Sequence, residues 1–336
     1  MNSLSICVIP GDGVGKEVTD CAIEVMDAAA SVLGAPTFEF REHAAGYQSL
    51  LNTGESFPPS TLEAAKAADG VLMGAFAVAQ IPQDAVHPLR ALRRGLGIRA
   101  SVRPSRVLPG VSAKAESMDL LVVREVTEGF YSGVEYVVGE DSAFSVRVIT
   151  REASMNTARV AFEAAERRRG KVTVVHKSSA LPVTDGLFLE CAQAVAATHP
   201  GVTLEKRNVD ACAMELISKP EEFDVILTTN CFGDIISDVA AALSGGIGIA
   251  PSGCIGDKFS YFEPVHGTAP RRVGLGTANP IGAIRSAAMM LDHIGAAKMA
   301  KHIDDAVNNV LGQSQVVGGT STSAEVTAAV IRAMRA

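Results

Sequence analysis

Hydrophobic positions along the chain switch repeatedly between two rhythms. Short unbroken apolar runs alternate with longer stretches in which apolar residues recur every three or four positions. The runs read as buried strands and the stretches as helices packed on them. Strands are predicted at 4–9, 38–41, 70–74, 119–124, 171–176, 202–210 and 224–229, with an extended stretch from Val102. Helices are predicted at 16–33, 58–68, 89–96, 154–169, 185–197, 211–217, from Asn230 onward, and at 283–294, 297–311 and 323–334. Residues 75–87 have no strong period and read as a surface loop. Residues 131–151 alternate valines, aromatics and charges, which predicts a β-hairpin or clasp turning near Gly139-Glu140-Asp141. Strand and helix alternate throughout, so the fold class is α/β.

Composition narrows this picture. A chain of 336 residues exceeds one ordinary core, so one large unit or two fused lobes are expected. The net charge of −7 disfavours non-specific binding to nucleic acid or membrane. Tryptophan is absent and aromatics are few, which disfavours a base-stacking surface. Six cysteines without a CxxC pair read as reduced thiols of a cytosolic protein, not as a disulfide framework or zinc site. No signal peptide is recognised, and no apolar run reaches the roughly 18 residues of a membrane span. A cytoplasmic protein is expected.

Candidate chemistry centres on 228–246, TTNCFGDIISDVAAALSGG. Asp234 and Asp238 are four apart and share one helix face. Three readings stay open: a divalent cation between the carboxylates, an arginine bridging them, or a solvated face. The apolar neighbours Ile235, Ile236 and Val239 argue against solvation. Arg90, Arg93, Arg94, Arg99, Arg103 and Arg106 fall within seventeen residues, and Arg124 ends the next strand. Such a run is either a solvated basic face or a clamp for carboxylates or phosphates. Lys177 follows an apolar strand and is a candidate base. Asp210, predicted at the end of strand 202–210, is a third candidate carboxylate for a metal. A lone Tyr131 is more often core or rim, and His176 and His266 are more often structural. The glycine loop at 11–15 is G-x-G-x-G followed by Lys16, so it is neither a Rossmann fingerprint nor a Walker A loop.

Together the motifs resemble those of the metal-dependent β-decarboxylating dehydrogenases that act on isocitrate, homoisocitrate and 3-isopropylmalate. The resemblance rests on IPGDGVGKEV (9–18), LRRGLGIRASVRP (92–104), VREVTEGFY (123–131), HKSSAL (176–181), VDACAM (209–214), TTNCFGDIISDVAA (228–241), EPVHGTAP (263–270) and TANP (277–280). It implies an isocitrate/isopropylmalate dehydrogenase-like fold, not a Rossmann fold, with two lobes sharing a continuous sheet. One lobe would hold 1–98 and 245–336, the other 99–244 with a clasp arm. It implies a homodimer or larger assembly with shared active sites, where Lys177 and Asp210 enter from the neighbouring subunit. Asp210, Asp234 and Asp238 would hold Mg²⁺ or Mn²⁺. Lys177 would take the hydroxyl proton, Tyr131 would protonate the enol carbon, and Arg93, Arg103 and Arg124 would hold the malate carboxylates.

The resemblance also frames specificity. The substrate's γ-substituent is expected near 87–94, where this chain has His87, Leu89 and Arg90. Burying Arg90 against an alkyl group would be costly, so an acidic substituent of the homoisocitrate or isocitrate type is expected. Val126 points the other way, because acid-selective members usually have Asn there. For the nicotinamide cofactor, the resemblance assigns Glu263, His266, Gly267, Thr268, Ala269, Pro270 and Asn279. Arg271 and Arg272 follow this loop, where NAD-using members carry an acid. NADP⁺ is therefore expected, with NAD⁺ as the alternative. The bland reading is that both arginines point to solvent, and Val316 and Val317, where a second contact to that phosphate is often polar, support it.

Overall fold

Apolar runs become central strands here because helices cover them on both faces. The computed structural model describes residues 3–313 and 321–336, so Val316 and Val317 lie outside the described residues. The strands are β1 (Leu4–Gly11), β2 (Phe38–Glu42), β3 (Gly70–Ala75), β4 (Ile98–Arg106), β5 (Asp119–Arg124), β6 (Glu135–Val138), β7 (Ser142–Ser145), β8 (Lys171–His176), β9 (Thr203–Asn208), β10 (Val225–Thr228), β11 (Pro251–Gly256) and β12 (Ser260–Pro264). The helices are α1 (Gly15–Leu33), α2 (Tyr47–Thr53), α3 (Pro59–Ala67), α4 (Pro88–Gly95), α5 (Arg151–Glu166), α6 (Thr184–Ala196), α7 (Val209–Ser218), α8 (Asn230–Ser244), α9 (Ile281–His293), α10 (Ala297–Gly312) and α11 (Ser323–Arg335).

One ten-stranded sheet runs in the order β2-β1-β3-β12-β11-β4-β5-β10-β8-β9. Its flanks are parallel: β2, β1, β3 and β12 on one side, β5, β10, β8 and β9 on the other. The middle is antiparallel, where β11 pairs with β12 and β4, and β4 with β5. Side-chain alternation sends Ile6, Val8 and Leu72 to a core beneath α1, α9, α10 and α11. Cys7, Ile9, Val71 and Met73 face the opposite core, with Phe57 and Leu92. On the second flank Leu121, Val123, Val172 and Val174 meet α5 and α6. Leu120, Val122, Val175 and Ile226 meet α7 and α8. Both faces are thus dry, which is why these strands carry no polar alternation.

Five features depart from the sequence reading. The short helix α2 and strands β11 and β12 are additional elements. Strand β4 starts at Ile98 rather than Val102, and it continues through Pro104. Pro104 is tolerated because β11 pairs with β4 only as far as Val102, so its missing N–H breaks no ladder on that side. Asp210 does not end a strand. Strand β9 stops at Asn208, and Asp210 sits in the first turn of α7, where an acid complements the helix dipole. The clasp forms as expected, as the isolated hairpin β6–β7, with Tyr136 stacked on Phe144.

Candidate active site

The arginine clamp is assembled where β4, β5 and α8 meet. Arg124 is the last residue of β5 and lies opposite Thr228, the last residue of β10. Both are carboxyl ends of parallel strands, where open α/β sheets place ligands. Helix α8 starts two residues later and packs against Arg124 at Gly233, where any Cβ would lie 2.6 Å from Arg124 Cγ. This close approach brings Asp234 to Arg124, whose Nη1 makes an ion pair with it. Arg124 is itself held by Asn230, whose Oδ1 accepts from Nε at 3.1 Å and from Nη2 at 2.7 Å. Burial, reinforced by the neighbouring Arg103, brings the Arg124 guanidinium down to about 10.

Arg103 projects from β4 between the two aspartates, 3.5 Å from Asp234 and 3.8 Å from Asp238. It also donates to Ser237 Oγ at 2.8 Å. The bridging-arginine reading of the pair is therefore realised within the chain. Asp238 stays half-exposed, and burial raises its carboxyl above the usual range. Arg93, from α4, donates to the buried Tyr261 hydroxyl at 3.0 Å and lies 3.9 Å from Glu263. Tyr131 is partly exposed and donates to Asp234 at 3.2 Å. Burial, and then the Asp234 charge, push its phenol up to about 12, so it remains a proton donor at neutral pH.

The arginines, Tyr131, Asp234 and Glu263 line a cavity of about 450 Å³, whereas Asp238 is not on its wall. Arg90, Arg93, Arg94, Arg103, Arg124, Tyr131 and Asp234 all face it, as do His87, Leu89 and Val126. The Arg90 guanidinium makes no ion pair among the described residues, while its backbone N–H caps onto His87. Glu263, Gly267 and His266 were expected on the cofactor side, yet they line this cavity. Burial raises the Glu263 carboxyl, partly offset by Arg93, Arg103 and Arg124.

A second cavity of about 440 Å³ adjoins at His266, which lines both. Ala269, Arg272, Ala278 and Asn279 line it, together with Val14, Ile247 and Gly248. Thr268 and Pro270 are not on its wall, but Thr268 fixes its rim by accepting from Val14 N at 3.0 Å. That approach needs Gly13, whose φ is +64° and whose Cβ would collide with the Thr268 carbonyl. Of the two arginines, Arg272 lines the cavity and donates to the Thr277 carbonyl at 3.0 Å; Arg271 does not line it.

Lys177 and Asp210 line neither cavity. They pair with each other at 2.6 Å on the surface, and the Lys177 hydrogen bond holds the Asp210 carboxyl below its usual range. Among the described residues no group of three metal-ligating side chains forms within the single chain. Asn230, Ser237 and Tyr261 were not singled out from the sequence. Asn230 and Ser237 lie inside the 228–241 motif and were within reach; Tyr261 gave no local signal.

Comparisons with known proteins agree along the whole length. The profile of the isocitrate/isopropylmalate dehydrogenase family matches residues 5–330. The chain is 42% identical over 311 residues to 3-isopropylmalate dehydrogenase of Archaeoglobus fulgidus, covering 92% of each. It is 43% identical over 340 residues to isocitrate/homoisocitrate dehydrogenase of Thermus thermophilus, covering 98% of each. The fold superimposes on the crystal structure of isocitrate dehydrogenase from Methylococcus capsulatus with a TM-score of 0.92 at 35% identity, covering 99% of this chain and 100% of that one.

Proposed function

The chain belongs to the isocitrate/isopropylmalate dehydrogenase family, and from that premise we propose that it oxidatively decarboxylates a 3-substituted malate bearing an acidic γ-substituent, with NADP⁺ preferred. The observation that carries the substrate reading is Arg90, a cation without an ion pair among the described residues, on the wall of the cavity that holds Arg93, Arg103 and Arg124. A distal carboxylate of the homoisocitrate or isocitrate type matches it. The competing reading is a 3-isopropylmalate-type alkyl substrate, favoured by Leu89 and Val126 on the same wall.

In this reading the active site is completed in a homodimer. The hairpin exposes Val137, Val138 and Phe144, α7 exposes Met214 and Ile217, and α8 exposes Ile235. Apolar surface of this extent calls for a protein partner. Asp210 shares α7 with Met214 and Ile217, and Ile235 adjoins Asp234. A second copy docked on these faces carries its Lys177 and Asp210 to the cavity. The lobes are read as 1–98 with 245–336, and 99–244.

Asp234 and Asp238, with Asp210 of the neighbouring subunit, offer hard oxygen ligands that suit Mg²⁺ or Mn²⁺. When bound, such an ion supplies Lewis acidity at the substrate's hydroxyl and carboxylate. The second cavity, with Asn279 and Arg272, suits the nucleotide end of NAD(P)⁺, which accepts the hydride. Arg93, Arg103 and Arg124 hold the malate carboxylates. Lys177 takes the C2 hydroxyl proton, and after CO₂ leaves, Tyr131 returns a proton to C3.

The test is a panel of 3-substituted malates with Mn²⁺ and either nucleotide, following CO₂. Comparable kcat/KM for 3-isopropylmalate, with weak turnover of every acidic analogue, would overturn the substrate reading. Arg90→Leu is expected to lower kcat/KM for the acidic substrate about 100-fold and to raise relative turnover of the alkyl substrate. Arg272→Asp is expected to raise KM for NADP⁺ about tenfold or more, with a smaller rise for NAD⁺. Arg271→Asp should act in the same direction more weakly, because Arg271 is off the cavity wall. A wild-type enzyme that works well with NAD⁺ and poorly with NADP⁺ would refute the cofactor reading.

A further inference from the structure

A buried ion pair outside both cavities ties Lys177 to the turn and helix that carry Tyr131 and Asp234. Asp185 is in the first turn of α6 and fully buried, 0% exposed. Its Oδ2 accepts the backbone N–H of Lys177 at 2.5 Å. Its Oδ1 lies 2.6 Å from Arg147 Nη2 without an aligned N–H, so that contact is ionic. The Arg147 side chain is only 7% exposed. It donates to Thr184 Oγ1 at 2.6 Å and to Thr229 Oγ1 at 3.2 Å. Its guanidinium carbon lies 5.5 Å from the ring centroids of both Phe130 and Phe232. Phe130 precedes Tyr131, and Thr229 and Phe232 belong to the start of α8.

A carboxylate this dry persists only with such partners, so its position is fixed by them. It in turn fixes where the main chain leaves β8 and how Lys177 projects. The Lys177 ammonium reaches only the exposed Asp210 among the described residues, so its own contacts orient it little.

We propose that Asp185 and Arg147 are positioning residues for Lys177, setting its main chain against the Phe130–Tyr131 turn and the start of α8. This rests on the reading of Lys177 as the base for the neighbouring subunit's site. The lysine that a subunit lends and the tyrosine that it keeps then rest on one guanidinium.

Asp185→Asn keeps the shape and removes the charge. It is expected to lower kcat about 10- to 100-fold, with KM changed less than about threefold. Arg147→Lys keeps the cation and loses the planar fork, and should lower kcat in the same direction by less. If Asp185→Asn does not fold, Arg147→Lys carries the test. Mixed dimers locate the effect. A Lys177→Met subunit paired with a Tyr131→Phe subunit leaves one intact site. Asp185→Asn added to the Tyr131→Phe subunit, which lends the lysine, should lower kcat at that site by the full factor. Added to the other subunit it should lower it much less. Unchanged kcat in the folded single variants, or an equal loss from either subunit, overturns the proposal. Full activity of Lys177→Met alone would instead remove the base reading, and that result is scored separately.

Discussion

Lys177→Met is expected to lower kcat by about 10³-fold while leaving the fold and KM for substrate nearly unchanged. The side chain is partly exposed and its partner among the described residues, Asp210, is more exposed still, so their pairing adds little to stability. Methionine preserves length and apolar stem, so what it removes is the proton acceptor. Tm should move by no more than about 2 °C, as for other surface substitutions. Tyr131→Phe should show the same pattern from the other side of the site. Its hydroxyl, on an exposed turn, donates to Asp234, itself partly exposed, so the fold does not depend on it. Raised above the usual phenol range, the hydroxyl is a donor that phenylalanine cannot replace. Steady-state kinetics with circular dichroism of both variants checks this. Wild-type kcat in either one sinks that residue's role.

Arg124→Met should be the most damaging change among the clamp arginines, because it removes substrate binding and local structure together. The guanidinium is buried, fills both lone pairs of Asn230 Oδ1 and neutralises Asp234. Without it, Asn230 keeps only its link to the Glu128 carbonyl at 2.9 Å, and its oxygen is left buried and unpaired. Asp234 then faces Asp238 with Arg103 as the sole bridge. Truncating one member of such a buried charge pair costs about 2–5 kcal/mol. We therefore expect kcat/KM to fall about 10²- to 10³-fold, mainly through KM, together with a lower Tm. Arg93→Met should raise KM with a smaller loss of Tm, since Tyr261 remains packed in its core without it. An Arg124→Met enzyme with unaltered KM would show that the malate carboxylates bind elsewhere.

What the sequence determined by itself was whatever local burial dictates. Strands β5 and β8 begin and end at the residues read from their apolar runs, because each is buried on both faces after its first residue. The i, i+4 spacing of Asp234 and Asp238 needed only the 3.6-residue helical repeat. The order of the motifs along the chain carried the family, and its clamp arginines do converge on one cavity. The remainder depended on contacts between distant segments. Helix α2 is capped by the Asp12 carboxylate, which accepts from Tyr47 N at 2.9 Å and Gln48 N at 2.8 Å, so nothing near 47–53 announced it. Strands β11 and β12 are short and rich in Gly, Ser and Pro, and they are strands because β4 and β3 offer them hydrogen bonds. Asp210 moved from strand to helix because β9 ends where its pairing with β8 runs out, at His176 opposite Asn208. The assignment of Glu263 and Gly267 to the first cavity, and of Arg272 rather than Arg271 to the second, was decided by the path of one loop. Residue type and spacing fix which chemistry is present, but only the folded path decides which side chains share a cavity.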